Sequence, residues 1–420
     1  MKVQLISHTD SKDGAARAAY RLHSSLNQVG ITSSMKVRVK QSDDWTVEGP
    51  TGYIGRAHGK IRLPLGVRLM RLQQSGNQNL HTGNWLPSSM AGEINASDSD
   101  VVNLHWVGGE TLSVEDIGRI RKPLVWTLHD MWPFCGGEHY AADDASSRWR
   151  SGYSKANRPA TEGGLDFDRL VWKRKRRAWK RPIHIVTPSA WLANCARDSV
   201  LFHDWPVTVI PNALDTRMYQ PLDRSFCRQA LGLPADKRVV LFGAIGGARD
   251  PRKGYDLLLD ALVTLAGQVD PASLLCVMFG QGAPENPPAI PFPIRWTGHL
   301  HDDYSLALLY NAADITVVPS RQENLPQTAT EPQACGCPVV AFDCTGLSDA
   351  VVHQKTGYLA SAFDSADLAA GMCWILEDEN RRDSLGHAAR ERALELWSPE
   401  VVVPQYLRVY EAAIRMQAAV

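Results

Sequence analysis

The sequence predicts an α/β protein built on doubly wound parallel sheets, and three observations carry that prediction. In the stretch 314–342 the β-branched run Ile315 to Val318 reads as a buried strand closed by Pro319-Ser320, and Val339 to Phe342 reads as another. Between them a helix is bracketed by Asn324 as a cap and Pro326 in its first turn, then stopped by Gly336 and Pro338. Strand, helix, strand is a βαβ unit, whose two strands run parallel. Short apolar runs that close on His, Gly or Pro recur along the rest of the chain. One of them ends in a glycine turn, Lys253-Gly254 and a helix start, parts that suit an anion at a helix N-terminus.

Composition narrows the possibilities. The 420 residues suffice for two or three domains, each with its own core, and 44% hydrophobic residues argue against disorder. Lys plus Arg equals Asp plus Glu at 45 each, so no net field draws nucleic acid. Met1 to Ser7 is too short for a signal peptide's apolar core, and no window has the length of a membrane-spanning helix. A cytoplasmic protein is expected, peripheral at the inner face of the cytoplasmic membrane where its basic segments make contact. The cysteines at 135, 195, 227, 276, 335, 337, 344 and 373 form no paired framework. Cys335-x-Cys337 lacks the two-residue gap of a zinc knuckle, so reduced thiols, some of them in the core, are expected.

In chain order, Val3 to Ser7 is the first predicted strand, and it feeds an Ala-rich helix through a loop holding Gly14 and Ala15. A dinucleotide fingerprint needs three glycines where this loop has one, so no nicotinamide or flavin site is predicted. A Gly-Ala-Ala start still allows close backbone approach and offers N–H groups to an anion. The segment Lys60 to Leu72 interleaves cations with apolar residues, as in an amphipathic packing helix or a peripheral membrane contact. The runs 100–109 and 123–137 each end on a histidine, His105 and His129, at the strand edge where ligands bind in parallel sheets. One histidine there is commonly a packed one; two at equivalent strand ends favour a cleft. Residues 140–168 are polar and weakly periodic and read as a mobile loop over an acceptor. The densest positive cluster, 170–181, interleaves Trp172 and Trp179 with its cations, which fits an anionic membrane, a diphosphate-bearing lipid or a solvated helix face. No RNA-binding signature accompanies it.

Further strands are predicted at 183–189 and 207–215 with a helix between them, then at 238–243, 274–280 and 294–300. Glu323 falls at the carboxyl end of the Ile315 to Val318 strand, and Glu331 lies inside the following helix. Carboxylates accept hydrogen bonds from hydroxyls in fixed directions, which suits a sugar or ribose. Spacing alone equally fits an exposed Glu323 and a Glu331 that complements the helix dipole.

The run Glu323-Asn-Leu-Pro-Gln-Thr-Ala-Thr-Glu331, with Ala334-Cys-Gly-Cys-Pro-Val-Val-Ala341 after it, resembles the signature of the retaining family 4 glycosyltransferases (glycosyl transferases group 1). Other segments match in the same order over nearly the whole chain. Thr127-Leu-His-Asp-Met-Trp-Pro-Phe134 is similar to a segment of that family's bacterial exopolysaccharide and lipid-linked-glycan transferases.

The resemblance implies the GT-B fold of two Rossmann-like domains facing a cleft. Residues 1–212 would bind the acceptor and 213–398 the nucleotide-sugar donor, with a helix in 399–420 crossing back to the first domain. It further implies that Glu323 lies against the donor sugar, that Glu331 holds the ribose, and that Leu325 and Gln327 line the same donor loop. His299 and Leu300 would read the base through their backbone. Gly14 and Ala15 would approach the diphosphate, and His129 and His105 the sugar. Lys253 would meet the diphosphate together with Arg249 or Arg252. Relatives carry an arginine where this chain has Ala244, and the sequence does not say which arginine replaces it.

Glu323, His129 and Lys253 are the implied catalytic residues. The implied reaction is a metal-independent, same-face transfer from a UDP- or GDP-sugar to a hydroxyl of a glycan, in particular a lipid-linked one of exopolysaccharide, capsule or lipopolysaccharide synthesis. A hydrolase or epimerase of the same fold, a non-catalytic nucleotide-sugar-binding protein and a membrane scaffold using 170–181 are the alternatives.

Overall fold

The computed structural model describes residues 1–11, 13–243, 250–300 and 302–418. The chain forms two compact units, Met1–Ala213 with Val402–Val420, and Leu214–Val401.

The first unit contains strands β1 (Lys2–Thr9), β2 (Thr32–Val39), β3 (Val47–Glu48), β4 (Gln73–Gln74), β5 (Val101–Leu104), β6 (Leu124–Thr127), β7 (Gly163–Gly164), β8 (His184–Thr187) and β9 (Val207–Val209). Seven of these make one sheet in the order β3-β2-β1-β5-β6-β8-β9, parallel throughout. The chain winds outward from β1 to β3 and then crosses to β5 on the other side of β1. That reversal opens a crevice beyond the carboxyl ends of β1 and β5. Alternation along each strand divides the side chains between two cores. Ile6, Val102, Leu104 and Trp126 face one way. Val3, Leu5, Val101 and Val125 face the other. Val402, Tyr406, Val409 and Tyr410 of the Pro399–Ala418 helix cover that second face. Asn103 Nδ2 donates to the Tyr410 hydroxyl at 2.9 Å, so the tail is held by polar as well as apolar contacts.

The second unit contains β10 (Arg238–Gly243), β11 (Leu274–Phe279), β12 (Ile294–Gly298), β13 (Ile315–Val318), β14 (Val339–Phe342) and β15 (Gly357–Ala360), ordered β12-β11-β10-β13-β14-β15 and all parallel. Here the winding reverses between β10 and β13. Buried Asp314, one residue before β13, takes Arg228 at 2.7 Å and Arg382 at 3.0 Å and accepts the Val239 N–H, which ties both helix and sheet to that strand.

Several expectations are corrected. Residues 140–168 are not a loose loop: Trp149 is fully buried, Arg148 pairs with Asp166 at 2.9 Å, and β7 pairs antiparallel with β4. Weak periodicity there reflects a segment held by individual buried side chains rather than by one helical face. In the basic cluster, Trp172 of the Phe167–Ala178 helix and Trp179 at its C-cap are buried in the core, so neither ring is available to a lipid headgroup layer. Lys175 is fully buried as well, donating to the carbonyls of Trp132, Cys135 and Gly136. Burial in apolar surroundings lowers its pKa to about 7. The cap before the signature helix is Pro326, not Asn324, and the helix runs Gln327–Ala334. All eight cysteines are free thiols, and six are buried.

Candidate active site

In the second unit the switch point is built by two loops clamped together. Past β10, Asp250 caps a tight turn at Pro251–Lys253. Gly254 follows with φ +64°, and a Cβ there would sit 1.9 Å from the Pro319 carbonyl oxygen. Only glycine lets this turn seat against the exit of β13. The Arg321 N–H donates to the Arg252 carbonyl at 2.8 Å, and the Arg321 guanidinium pairs with Asp256 at 2.6 Å. So clamped, Lys253 Nζ donates to Glu323 Oε1 at 2.5 Å, and Arg252 Nη1 stands 3.6 Å from Glu323 Oε2.

Glu323 is buried and held from behind. Its N–H donates to the Thr345 hydroxyl at 3.1 Å, and its carbonyl accepts from Gly346 N–H at 3.0 Å. Thr345 adopts φ +49°, a left-handed conformation uncommon for a β-branched residue. Burial alone raises the pKa of Glu323, but the charges of Lys253 and Arg252 outweigh it and hold the carboxyl below its ordinary range. At neutral pH it is a carboxylate, an acceptor of hydrogen bonds and not an acid. Glu331 is buried too, and its Oε2 accepts from the Tyr310 hydroxyl at 2.9 Å. The exposed Glu323 that spacing also allowed is therefore excluded.

In the first unit, His105 Nδ1 and His129 Nε2 lie 3.0 Å apart with stacked rings. One shared proton joins them, since two N–H groups cannot face each other at that distance. Burial lowers the pKa of His129 to about 4 and that of His105 well below the usual value. Beside them, Asp130 accepts from Trp106 Nε1 at 2.7 Å and from the His139 ring at 2.6 Å. These residues line a small pocket at the ends of β5 and β6, and His105 Nε2 is buried there without a hydrogen-bond partner among the described residues. His8, from the end of β1, packs edge-on against Trp106 with ring centroids 5.4 Å apart.

Comparison with known proteins decides the family. Residues 53–217 match the family described as Glycosyltransferase Family 4, and residues 223–392 match Glycosyl transferases group 1. The chain belongs to the family 4, group 1 glycosyltransferases. Among curated proteins it is similar to the D-inositol 3-phosphate glycosyltransferase of Thermobispora bispora, 35% identical over 210 residues, or 45% of this chain and 48% of that one. The chain spans about half the length of the curated relatives it matches. Among solved structures it resembles sucrose-phosphate synthase from Thermosynechococcus elongatus (TM-score 0.66, 19% identity, 100% of both chains). It also resembles Anabaena HepE in complex with UDP-glucose (TM-score 0.62, 17% identity, 98% of this chain and 100% of that one). At these identities the likeness is one of fold, the GT-B architecture.

Not every predicted residue of this family 4 chain joins the site in the same way. Lys253, Arg252 and Glu323 are brought together, as are His105 and His129. Arg252 is also engaged locally, donating to Asp250 at 2.9 Å and to the Gln322 carbonyl at 3.0 Å. Arg249 and Ala244 lie outside the described residues. Leu325 sends its side chain into the core beside Val318 and Leu347, leaving its backbone to the loop, and half-buried Gln327 opens the helix. His299 is exposed just past β12, while Leu300 packs partly into the core. At the first helix, Gly14–Gln28, Asp13 caps the Ala16 N–H at 2.9 Å. A carboxylate thus already occupies part of the helix start that spacing offered to an anion beside Gly14 and Ala15. Among the described residues no group of three or more His, Cys, Asp or Glu is arranged to hold a metal ion. Pattern reading missed Thr345, Tyr310, Trp106, Asp130 and His139. The first two lie far in sequence from what they hold, whereas Trp106 and Asp130 each directly follow a predicted histidine.

Proposed function

We propose that this chain transfers a sugar from a nucleoside-diphosphate donor to a hydroxyl acceptor with retention at the anomeric carbon. The 2.5 Å pair of Lys253 and Glu323, seated where two loops meet at a switch point, carries the proposal. A leaving diphosphate gathers negative charge, and preorganised cations lower the barrier to its departure. Lys253, with Arg252 next to it, supplies that charge as its ammonium exchanges the carboxylate for phosphate oxygens. Glu323, kept ionised, accepts hydrogen bonds from the donor sugar's hydroxyls and does not donate a proton. Glu331, held by Tyr310, accepts from the ribose. His129, neutral at pH 7, hydrogen-bonds the sugar, and His105 holds its ring. Leu325, Gln327, His299 and Leu300 present backbone to the nucleoside, and Gly14 and Ala15 to the diphosphate. In this scheme residues 213–398 bind the donor and residues 1–212 the acceptor.

Side-chain cations take the part a divalent ion plays in other transferases, so the reaction is metal-independent. The proton of the acceptor passes to the leaving phosphate on the same face of the sugar. A UDP- or GDP-sugar is the donor, in keeping with the UDP-glucose carried by a protein of similar fold. A lipid-linked glycan is the proposed acceptor, which would put the chain in cell-surface polysaccharide synthesis. A second acceptor class, a phosphorylated polyol, is favoured by the curated relatives named for inositol 3-phosphate.

A thermal-shift panel of UDP, GDP, ADP and their sugars, with and without EDTA, tests the donor. A ligand at a hundred times its Kd adds about 2.7 kcal/mol of stability. Stabilisation by one nucleotide family, unchanged by EDTA, is expected. No response to any nucleotide sugar would sink the proposal. Radiolabel transfer from the stabilising donor to lipid-linked glycan or to inositol phosphate then decides the acceptor.

A further inference from the structure

The Gly52–Met70 helix and the turn after it contain no Asp or Glu between residues 52 and 72, but five Lys or Arg, in a chain that holds equal numbers of the two signs. Its packing leaves apolar groups on both sides. Toward the protein it turns buried Met70 and partly buried Leu63 and Val67, and between them small and polar groups. Gly59 abuts the Arg38 carbonyl, and Gly66 abuts Glu110. Arg62 is 3% exposed and donates to the carbonyls of Leu86, Pro87 and Glu110. Toward solvent it turns further aliphatic side chains: Ile61, Leu65, Leu69 and Leu72 are 62%, 44%, 38% and 58% exposed. At about 100° per residue these four fall within about 80° of arc. Lys60, Arg68 and Arg71, all exposed, border the stripe, and Tyr53 is exposed at the helix start.

Buried Met70, two glycines and an arginine hold this helix, and its outer leucines form an apolar face that the described residues do not cover. Contiguous exposed apolar surface of this kind marks an interaction site. The all-cationic border selects the occupant. Aliphatic side chains enter the acyl boundary of a bilayer while neighbouring Lys and Arg meet anionic headgroups, each worth a share of the binding that salt screens. We propose that Gly52–Met70 is a membrane-docking helix that lies in the interface of an anionic lipid surface, and that it, rather than 170–181, is the membrane contact. Docking does not depend on the sugar-transfer proposal, because vesicle binding holds or fails whatever the chain does to nucleotide sugars.

The test is flotation of the full chain with vesicles of equimolar phosphatidylcholine and phosphatidylglycerol, against pure phosphatidylcholine and against high salt. Binding only to the anionic vesicles, weakened by salt, is expected. Leu65→Glu with Leu69→Glu lowers the bound fraction about tenfold or more, since losing the burial of two leucines exceeds the 1.4 kcal/mol that a factor of ten represents. Arg68→Glu with Arg71→Glu has a similar effect and serves where the leucine variant does not fold. Lys173→Glu with Arg177→Glu, on the exposed face of Phe167–Ala178, leaves binding within about twofold. Unfolding transitions and nucleotide-induced stabilisation check that each variant is folded. Binding to no vesicle, binding unchanged by both variants of the docking helix, or binding lost only with Lys173 and Arg177 each overturns the proposal. So does a concentration-dependent dimer in sedimentation that the leucine variant abolishes while no vesicle is bound, because the stripe would then join two copies of the chain.

Discussion

A lysine and a buried glutamate 2.5 Å apart are coupled in stability before any chemistry begins. Lys253→Ala leaves the carboxylate of Glu323 with Arg252 at 3.6 Å as its remaining cation among the described residues, at a cost of about 1–3 kcal/mol. Glu323→Gln with Lys253→Ala costs less than the sum of the single changes, because the double variant strands no buried charge. Urea unfolding of the four proteins of the cycle measures this coupling. Transfer rate is expected to fall by a hundredfold or more, roughly, in either single variant. Rates near those of the unchanged chain would remove that residue from the mechanism. The histidine pair makes a separate prediction. Both imidazoles are held below 6.5 in the folded chain, so the unfolded chain binds more protons as pH falls from 6.5 toward about 4. Stability therefore drops on acidification through that window, by at most about 1.4 kcal/mol per pH unit for each histidine. Glu323, whose carboxyl is held low, begins to lose its contribution only as pH falls through the ordinary value of 4.5, so its slope meets the histidine window at the acid end alone. Thermal midpoints from pH 7.5 to 4.5 are expected to flatten in His105→Gln with His129→Gln, and an unchanged slope would contradict the assignment.

At the scale of elements, two glycines that look alike in sequence separate once the loops are folded. Gly254 has φ +64° and no room for a Cβ beside the Pro319 carbonyl, so Gly254→Ala costs more than about 1 kcal/mol and uncouples Lys253 from Glu323. A Cβ at Gly14 would meet no atom within 4 Å, so Gly14→Ala stays within about 0.5 kcal/mol of the original stability. Any loss of donor binding in Gly14→Ala then reports on the ligand's own approach. Melting curves with and without UDP for the two variants separate these effects. Strand positions were legible here because each parallel strand is a short apolar run ending at a turn residue. The cap at Pro326 was not, because Asn324 satisfies the same local pattern while its carbonyl is pressed against Gly346, a neighbour set by the fold.

For the whole molecule, the C-terminal segment is part of the first unit's core and not a tail. Val402, Tyr406, Val409 and Tyr410 cover the face of β1, β5, β6 and β8, so a chain ending at 398 exposes that face and is expected to lose the first unit's cooperative unfolding. Calorimetry of the truncated chain checks this, and retention of the full unfolding enthalpy would contradict it. Tyr410→Phe strands the Asn103 amide and costs about 1–2 kcal/mol, read by the same measurement. By itself the sequence determined the parallel α/β class and the family. It also placed Glu323, His105 and His129 at strand ends and Lys253 in a turn before a helix, because strand periodicity and turn chemistry are local and a parallel sheet puts its loops at one edge. Only the tertiary structure decided which way each side chain faces. It drew Trp172, Trp179 and Lys175 into the core, left Ile61, Leu65, Leu69 and Leu72 outside, and joined Lys253 to Glu323 across 70 residues. Burial and long-range contact depend on what folds back over each face, and no local pattern of residues records that.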